Sequence, residues 1–245
     1  RQLVLVGDHK QLSPTVISRR ASEGGLSRSL FERIMDMGIS PHLLTRQYRM
    51  HPGISEFPNQ QFYSGRLENG VSGSERKAPA GILWPDWERP VAFLPVEGGE
   101  MVGPDGASKE NMIEASWVAK IVQDIVNAGE VDAGDIGVIT PYAAQVRAIR
   151  DILPEDLSAM EVKTVDGYQG REKEMIVFSC VRSNSEGKIG FLSDPRRLNV
   201  ALTRAKRGLI VIGDPSTLRE DENWSAWLEH AKKHNLEAWH IIGMG

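Results

Sequence analysis

Hydrophobic and polar positions follow two different periods along this chain of 245 residues. Short apolar runs rich in β-branched residues predict strands, and runs with apolar residues three and four apart predict helices. The predicted strands are 3–6, 91–96, 136–140, 161–165, 175–181 and 209–212. The predicted helices are 26–37, 113–125, 145–153 and 224–234. Strands that alternate with helices indicate an α/β fold, in which a parallel sheet carries helices on both faces.

One stretch, 64–108, breaks this alternation because it is rich in glycine and proline. We predict an irregular surface excursion there, not a hinge between domains. Trp84 and Trp87 lie inside it, and we expect their rings to pin the excursion by packing.

Composition restricts the class of protein. The chain is 40% hydrophobic and 25% charged, which favours a packed core over disorder. Its net charge of -4 argues against a surface that coats nucleic acid everywhere, but it leaves a local basic groove open. The single cysteine, Cys180, lies in an apolar run and excludes an internal disulfide or a Cys-based zinc site.

We expect a reducing compartment, the cytoplasm, with the nucleus also open. No apolar run approaches the roughly 20 residues of a membrane span, so we expect no membrane partner. The chain begins with Arg1 in place of methionine, directly before a strand pattern. We therefore expect it to be a piece of a longer protein.

The most cationic stretch is 195–214, PRRLNVALTRAKRGLIVIGD. It predicts a short helix that carries five cations and leads straight into a buried strand. These cations are Arg196, Arg197, Arg204, Lys206 and Arg207. Arg197 and Arg204 are seven apart and share a stripe next to apolar positions, so we expect Arg204 to face inward. Guanidinium groups bind phosphate oxygens in pairs, although a solvated cationic face is the alternative.

Two further stretches offer groups that suit a nucleotide. GDHKQL is a polar turn at the carboxyl end of a predicted strand, where parallel sheets bind ligands, and it supplies Asp8 and Gln11. LTRQYRMHP sets the ring of Tyr48 next to the guanidinium of Arg49, a pair that suits a base and its phosphate. A plain turn, and a buried tyrosine beside a surface arginine, remain the alternatives.

Two more strand ends suit a phosphate-bearing ligand. ITPYAAQ passes from a strand into a helix whose free N–H groups attract phosphate, aided by Thr140. The turn in VKTVDGYQGREKEMIVFSCVRS contains Gly170, which lets the backbone approach a ligand, and Glu172, an acceptor for ribose hydroxyls. A charged connection between two strands is the alternative for this turn.

In this order and spacing, the motifs resemble those of the superfamily 1 helicases. The resemblance is to superfamily 1B, in the branch of the regulator of nonsense transcripts, an RNA helicase family of nonsense-mediated decay. GDHKQL resembles motif III, QYRMHP motif IV, TVDGYQGREKE motif V and LNVALTRAK motif VI. Linking stretches such as FPNQQFYSGRLENGV are similar too, so the resemblance covers nearly the whole chain.

The resemblance implies two RecA-like domains of the P-loop NTPase type. They hold ATP with Mg²⁺ in the cleft between them, and single-stranded nucleic acid lies across the top. Residues 1–46 would be the end of the first domain and 47–245 the second. By similarity, Gln11 senses the terminal phosphate, and Arg49 and Arg204 act as arginine fingers.

The resemblance also implies binding residues around these three. Tyr48 resembles the adenine-stacking ring, Gly170 and Glu172 resemble contacts to phosphate and ribose, and Asp8 belongs to the same nucleotide group. The residues implied to hold the nucleic-acid backbone are Thr140, Pro141, Tyr142, Gln145, Thr164, Arg182 and Asn199.

The chain contains no G-x-x-x-x-G-K-[ST] sequence. The P-loop lysine and the Mg²⁺ ligands are therefore expected upstream of Arg1, and no metal ligand is expected in this chain. We expect residues 1–245 alone to lack ATP hydrolase activity. The full-length protein is expected to be an ATP-dependent helicase that moves 5′ to 3′ on single-stranded RNA, and the direction comes from the resemblance alone.

Two alternatives stay open at this point. One is a DNA helicase of the same branch, and the other is a non-enzymatic module that binds single-stranded nucleic acid. An intact upstream P-loop would distinguish a motor from a module. A Rossmann-type oxidoreductase is disfavoured because no G-x-G-x-x-G follows a predicted strand.

Overall fold

The computed structural model describes residues 2–238 of the chain. Its α-helices are α1 (Arg19–Glu23), α2 (Leu30–Asp36), α3 (Pro52–Tyr63), α4 (Met112–Asn127), α5 (Ala143–Ile152), α6 (Pro195–Leu202), α7 (Pro215–Leu218) and α8 (Glu222–Lys233). Its strands are β1 (Arg46–Gln47), β2 (Glu68–Asn69), β3 (Val91–Pro95), β4 (Glu100–Val102), β5 (Lys109–Asn111), β6 (Ile136–Thr140), β7 (Glu161–Thr164), β8 (Lys173–Ser179) and β9 (Ala205–Gly213).

Five of these strands form one parallel sheet in the order β3-β9-β8-β6-β7. The order differs from that of the sequence, and each parallel neighbour is reached through a crossover connection. All five residues of β6 are buried, as expected for a strand that is covered on both faces. The predicted α/β class is thereby confirmed.

Helices cover both faces of the sheet and divide the core into two layers. On one face α3, α6 and α8 pack on the sheet through side chains such as Ile54, Leu198 and Trp227. On the other face α4 and α5 pack through Val118 and Ile149. Within residues 2–238, no helix has the length and apolar character that crossing a bilayer requires.

Most predicted elements are confirmed with shifted ends. The helix predicted at 113–125 runs as α4, because Asn111 caps it by accepting hydrogen bonds from the N–H groups of Ile113 and Glu114. The helix predicted at 26–37 is shorter, because Ser29 and Glu32 form a capping box that starts α2 at Leu30.

Residues 3–6 differ from the prediction, since the structure contains no strand there. Val4 and Val6 are 84% and 91% exposed. A strand needs ladder hydrogen bonds from a neighbour, and no described residue supplies them to this run.

The excursion at 64–108 is largely irregular, as predicted. Trp84 pins it, because the ring is buried and its Nε1–H donates to the carbonyl of Pro79 at 2.8 Å. Trp87 does not, because it is 56% exposed. Cys180 is buried, as expected.

The cationic run also differs from the prediction. The helix α6 ends at Leu202, so it carries only Arg196 and Arg197 of the five cations. Arg204 lies in the turn that follows, and the remaining two lie on β9. Only two residues separate the end of α6 from Ala205, where β9 begins and its backbone pairs with that of Lys173 in β8.

Candidate functional site

A cleft lies between the N-terminal segment, residues 2–46, and the sheet domain that follows. Its cavity has a volume of about 660 Å³, within the range of small-molecule sites. The structure brings five of the predicted nucleotide-site residues to its walls. They are Asp8, Gln11, Tyr48, Arg49 and Arg204.

Arg204 is the deepest cation of this cleft, and it is only 2% exposed. Its Nε donates to the carbonyl of Val200 at 3.0 Å, and its Nη2 donates to Thr203 Oγ1 at 2.8 Å and to Gln11 Oε1 at 3.3 Å. Burial, and secondarily the charge of Arg49, lowers the pKa of Arg204 to about 10. The group therefore stays charged at neutral pH.

No carboxylate among residues 2–238 lies within 4.0 Å of the Arg204 guanidinium, unlike the other cations of its run. Those four have the partners Glu32 for Arg196, Asp166 for Arg197, Glu172 and Glu174 for Lys206, and Glu130 for Arg207. Their cations are thus neutralised within the chain. The charges of Glu172 and Asp8 act on Arg204 only from a longer distance, and a buried charge without a direct ion pair is costly, so Arg204 marks a place for an anion.

Arg49 lies between this cleft and Glu172. Its Nε contacts Glu172 Oε2 at 2.5 Å, and its Nη1 donates to the carbonyl of Thr203 at 3.0 Å. Burial alone would raise the pKa of Glu172, but the hydrogen bond and charge of Arg49 lower it below its ordinary value. In this structure Glu172 therefore orients Arg49, where the sequence predicts a ribose contact.

Tyr48 presents an open aromatic face, as it is 60% exposed. A Cβ added at Gly70 would lie 2.4 Å from Cε1 of the ring, so the Gly70 backbone supports the ring from one side. Arg76 holds the same turn by donating to the carbonyls of Tyr48 and Arg49. Gln47 accepts from the N–H of Arg49 at 3.0 Å. The ring is thus fixed in place and free on its other side.

Gly170 lies in a neighbouring cavity of about 490 Å³ that also touches Asp8 and Gln11. Its φ of +77° is a conformation that glycine adopts without strain. It does not line the main cleft, so the structure separates it from Tyr48 and the two arginines.

Asn199 was predicted at the nucleic-acid edge, but the structure places it behind the cleft. Its Nδ2 donates to the carbonyl of Lys10 and to the hydroxyl of Tyr63, both at 2.9 Å. Tyr63 in turn donates to Asp8 Oδ2 at 2.6 Å. The sequence analysis missed Tyr63, and its only signal is a polar tip on the buried face of α3.

The other residues predicted to hold nucleic acid cluster at the carboxyl ends of β6, β7 and β8, but with different exposure. Thr140 and Gln145 are fully buried. Gln145 accepts from the N–H of Asn111 at 2.7 Å and donates to Ser179 Oγ at 3.0 Å. Gln145 therefore braces the strand ends, whereas Thr140 Oγ1 is buried with no hydrogen-bond partner among residues 2–238, and neither side chain is exposed for the nucleic-acid contact that the resemblance implies.

Tyr142 and Arg182 form a pair at the same edge. Arg182 Nη1 donates to the Tyr142 hydroxyl at 3.3 Å, and Arg182 Nε contacts Glu100 Oε2 at 3.0 Å. Both are nearly buried, whereas Pro141 and Thr164 are partly exposed. The edge thus offers few exposed groups and one cation that a carboxylate already neutralises.

Glu114 is a second residue that sequence reasoning missed. It is fully buried, accepts from the Ser179 hydroxyl at 2.6 Å and from the N–H of Val181 at 2.9 Å. Burial raises the pKa of Glu114 to about 8. Val181 has a φ of +73°, a strained conformation for a β-branched residue. Glu114 therefore holds the strained strand end that precedes Arg182.

One cluster outside the cleft has metal-ligand chemistry. Glu56, His230 and His234 place one potential ligand atom each within 4.8 Å of one another. Arg89 already bonds this cluster, through Glu56 Oε2 at 3.0 Å and His234 Nδ1 at 2.9 Å. Its guanidinium supplies the positive charge that a metal would bring.

The chain is similar to a known domain family and to several known proteins. A family model described as an AAA domain matches residues 26–216. The chain is 48% identical over 240 residues to a regulator of nonsense transcripts 1 homolog of Neurospora crassa, covering 95% of this chain and 22% of that protein. It is 45% identical over 243 residues to the Drosophila melanogaster homolog, covering 96% and 20%.

A third relative carries an activity in its name. The chain is 44% identical over 241 residues to the ATP-dependent helicase NAM7 of Saccharomyces cerevisiae, covering 95% of this chain and 25% of that protein. The chain thus spans about a fifth to a quarter of the length of these relatives.

Proposed function

This chain belongs to the AAA domain family, and we propose that it forms part of the motor of an ATP-dependent helicase that acts on single-stranded RNA. In this proposal, residues 1–46 end the first RecA-like domain and residues 47–245 form the second. The relatives that are named regulators of nonsense transcripts support a role of the whole protein in nonsense-mediated mRNA decay. The location stays a proposal from the sequence alone: the cytoplasm, with the nucleus also open.

The buried cation Arg204 is the observation that carries the proposal. It faces a cavity of about 660 Å³ with Arg49 and Gln11, and its charge has no carboxylate partner among the described residues. The phosphate end of ATP fits this donor set, because it supplies anionic oxygens to planar guanidinium groups. Mg²⁺ would be held by residues upstream of this chain.

Bound ATP would supply the phosphoryl group that hydrolysis transfers to water. Phosphoryl transfer depends on charge neutralisation and positioning. Arg204 and Arg49 would supply positive charge from two separate turns, and Arg49 would exchange its contact with Glu172 for the phosphate. Gln11 comes from the N-terminal segment, and its Oε1 meets Arg204 at 3.3 Å. The residues of both sides are therefore complete only when the cleft is closed, which can couple hydrolysis to 5′-to-3′ stepping.

The strand ends around Tyr142 and Arg182 would carry the nucleic acid. Among residues 2–238 they present a backbone edge with partly exposed Pro141 and Thr164, while Arg182 would have to exchange its contact with Glu100 for a phosphate. Binding through the sugar-phosphate backbone tolerates many sequences and weakens with salt.

The test compares three preparations for ATP turnover: the full-length protein alone, with single-stranded RNA, and with single-stranded DNA of equal length. We expect RNA to stimulate turnover and a duplex with a 5′ tail to be unwound in preference to one with a 3′ tail. Residues 1–245 alone are expected to show no turnover. Sustained turnover by residues 1–245, or a full-length protein that ignores nucleic acid, would contradict the proposal.

A further inference from the structure

Tyr63 stands at the end of α3, and its hydroxyl links three parts of the chain. It donates to Asp8 Oδ2 at 2.6 Å and accepts from Asn199 Nδ2 at 2.9 Å. Asn199 also donates to the carbonyl of Lys10 at 2.9 Å. The turn that holds Asp8 is thus tied to both α3 and α6, over sequence separations of 55 and 189 residues.

Asp8 passes this restraint to Gln11. Asp8 Oδ2, the oxygen that accepts from Tyr63, also accepts from Gln11 Nε2 at 2.9 Å. Because its Nε2 is held there, Gln11 directs its Oε1 away from Asp8. Its Oε1 lies 3.3 Å from Arg204 Nη2, which can only donate, so both contacts select the same amide orientation.

We propose that Tyr63 is a positioning residue which, through Asp8, holds Gln11 with its carbonyl oxygen facing the phosphate end of the cleft. This inference rests on the proposed function. Gln11 then presents its Oε1 to the cleft as a hydrogen-bond acceptor, beside Arg204. The NH₂ group carries two N–H donors, and the bond to Asp8 uses one, so the second stays available to a phosphate oxygen.

The ionisation state of Tyr63 supports this arrangement. Burial first, and then the hydrogen bond to Asp8, raises the pKa of Tyr63 to about 12. The hydroxyl therefore remains a donor to the carboxylate across the physiological range. A hydrogen bond to a charged acceptor is also about twice as strong as one between neutral groups.

The test uses the full-length protein with Tyr63→Phe, which removes only the hydroxyl. Tyr168→Phe is the matched control, because the Tyr168 hydroxyl is buried and has no hydrogen-bond partner among residues 2–238. The first readout is hydrogen–deuterium exchange of segment 7–11 without nucleotide. We expect Tyr63→Phe to exchange several-fold faster there and Tyr168→Phe to match wild type. Unchanged exchange in Tyr63→Phe would overturn the inference.

The second readout is RNA-stimulated ATP turnover. We expect Tyr63→Phe to lower kcat roughly tenfold, with KM for ATP changed by less than about twofold, because one charge-assisted hydrogen bond is lost. In a Gln11→Ala background, Tyr63→Phe should cause no further loss, since Tyr63 acts through Gln11. Losses that add in the double variant would assign Tyr63 a structural role only and overturn the inference.

These outcomes are separate from those of the proposed function. If the wild-type protein shows no ATP turnover, the proposed function fails while the exchange experiment still tests the Tyr63–Asp8–Gln11 link. If the wild type is active and Tyr63→Phe equals it in both readouts, only the present inference fails.

Discussion

At the residue scale, the cations of the site differ in whether a carboxylate of the chain neutralises them. Four cations of the run at 195–214 are neutralised by carboxylates, and Arg204 is the exception among the described residues. Sequence reasoning predicted the inward direction of Arg204 correctly, although from a helical stripe that α6 does not extend far enough to form.

Tyr48 allows a prediction at this scale. Tyr48→Ala in the full-length protein should raise KM for ATP about tenfold and change kcat by less than about twofold, because stacking stabilises bound substrate and transition state alike. Steady-state kinetics measures both. The control Tyr48→Phe keeps the ring and should resemble wild type. An unchanged KM in Tyr48→Ala would remove the base-binding role from this ring.

The residues that sequence reasoning missed share a physical property. Tyr63 and Glu114 function through partners that are 55 to 136 and 65 to 67 residues away, respectively. The helical period of 3.6 residues can place both side chains toward the core, but it does not identify the polar atoms that they contact there. Such pairings become visible only when the strands and helices are placed in space.

At the element scale, hydrophobic periodicity predicted the sheet strands and helices because their burial is nearly complete. It failed at 3–6, where an apolar run has no strand neighbour in the described chain. It also left the ends of elements undefined, since these depend on caps such as Asn111 and Ser29. The ends matter here, because the site residues lie at strand and helix ends.

Glu114 joins α4 to the end of β8, and its titration gives a second prediction. Its pKa is about 8 in the folded chain and near 4.5 in the unfolded one. Between these values the folded state binds more protons, so the contribution of Glu114 to the free energy of unfolding falls as pH rises from about 4.5 to 8.

Denaturant unfolding at pH 5.5 and pH 8 measures this effect. Glu114→Gln should lose the part of the pH dependence that this group contributes, because glutamine does not titrate. Glu155→Gln, a change at an exposed position, should keep the wild-type profile. Identical pH profiles for wild type and Glu114→Gln would show that Glu114 does not titrate as a buried acid.

At the scale of the whole molecule, two stretches that are far apart in the sequence line the cleft. Gln11 and Arg204 are 193 residues apart and meet at 3.3 Å. The motifs indicated the chemistry of each stretch, and the resemblance to a helicase family indicated that they meet. The order of the motifs along the chain does not reveal that Asp8, Tyr63 and Asn199 connect the two sides of the cleft by hydrogen bonds. These bonds depend on side-chain geometry.

The net charge of -4 is compatible with a local cationic site, because binding depends on where the charges lie. Within the run at 195–214, four cations pair with carboxylates, and Arg204 is buried at the cleft without such a pair among residues 2–238.

The most direct measurement of the central claim is ATP turnover by full-length Arg204→Ala beside Arg207→Ala. Arg207 belongs to the same cationic run, but it contacts Glu130 and the carbonyl of Lys77 and does not line the cleft. The account predicts that Arg204→Ala lowers kcat by about 10³-fold or more, as for other arginine fingers, while Arg207→Ala remains near wild type. Equal turnover in the two variants would contradict it.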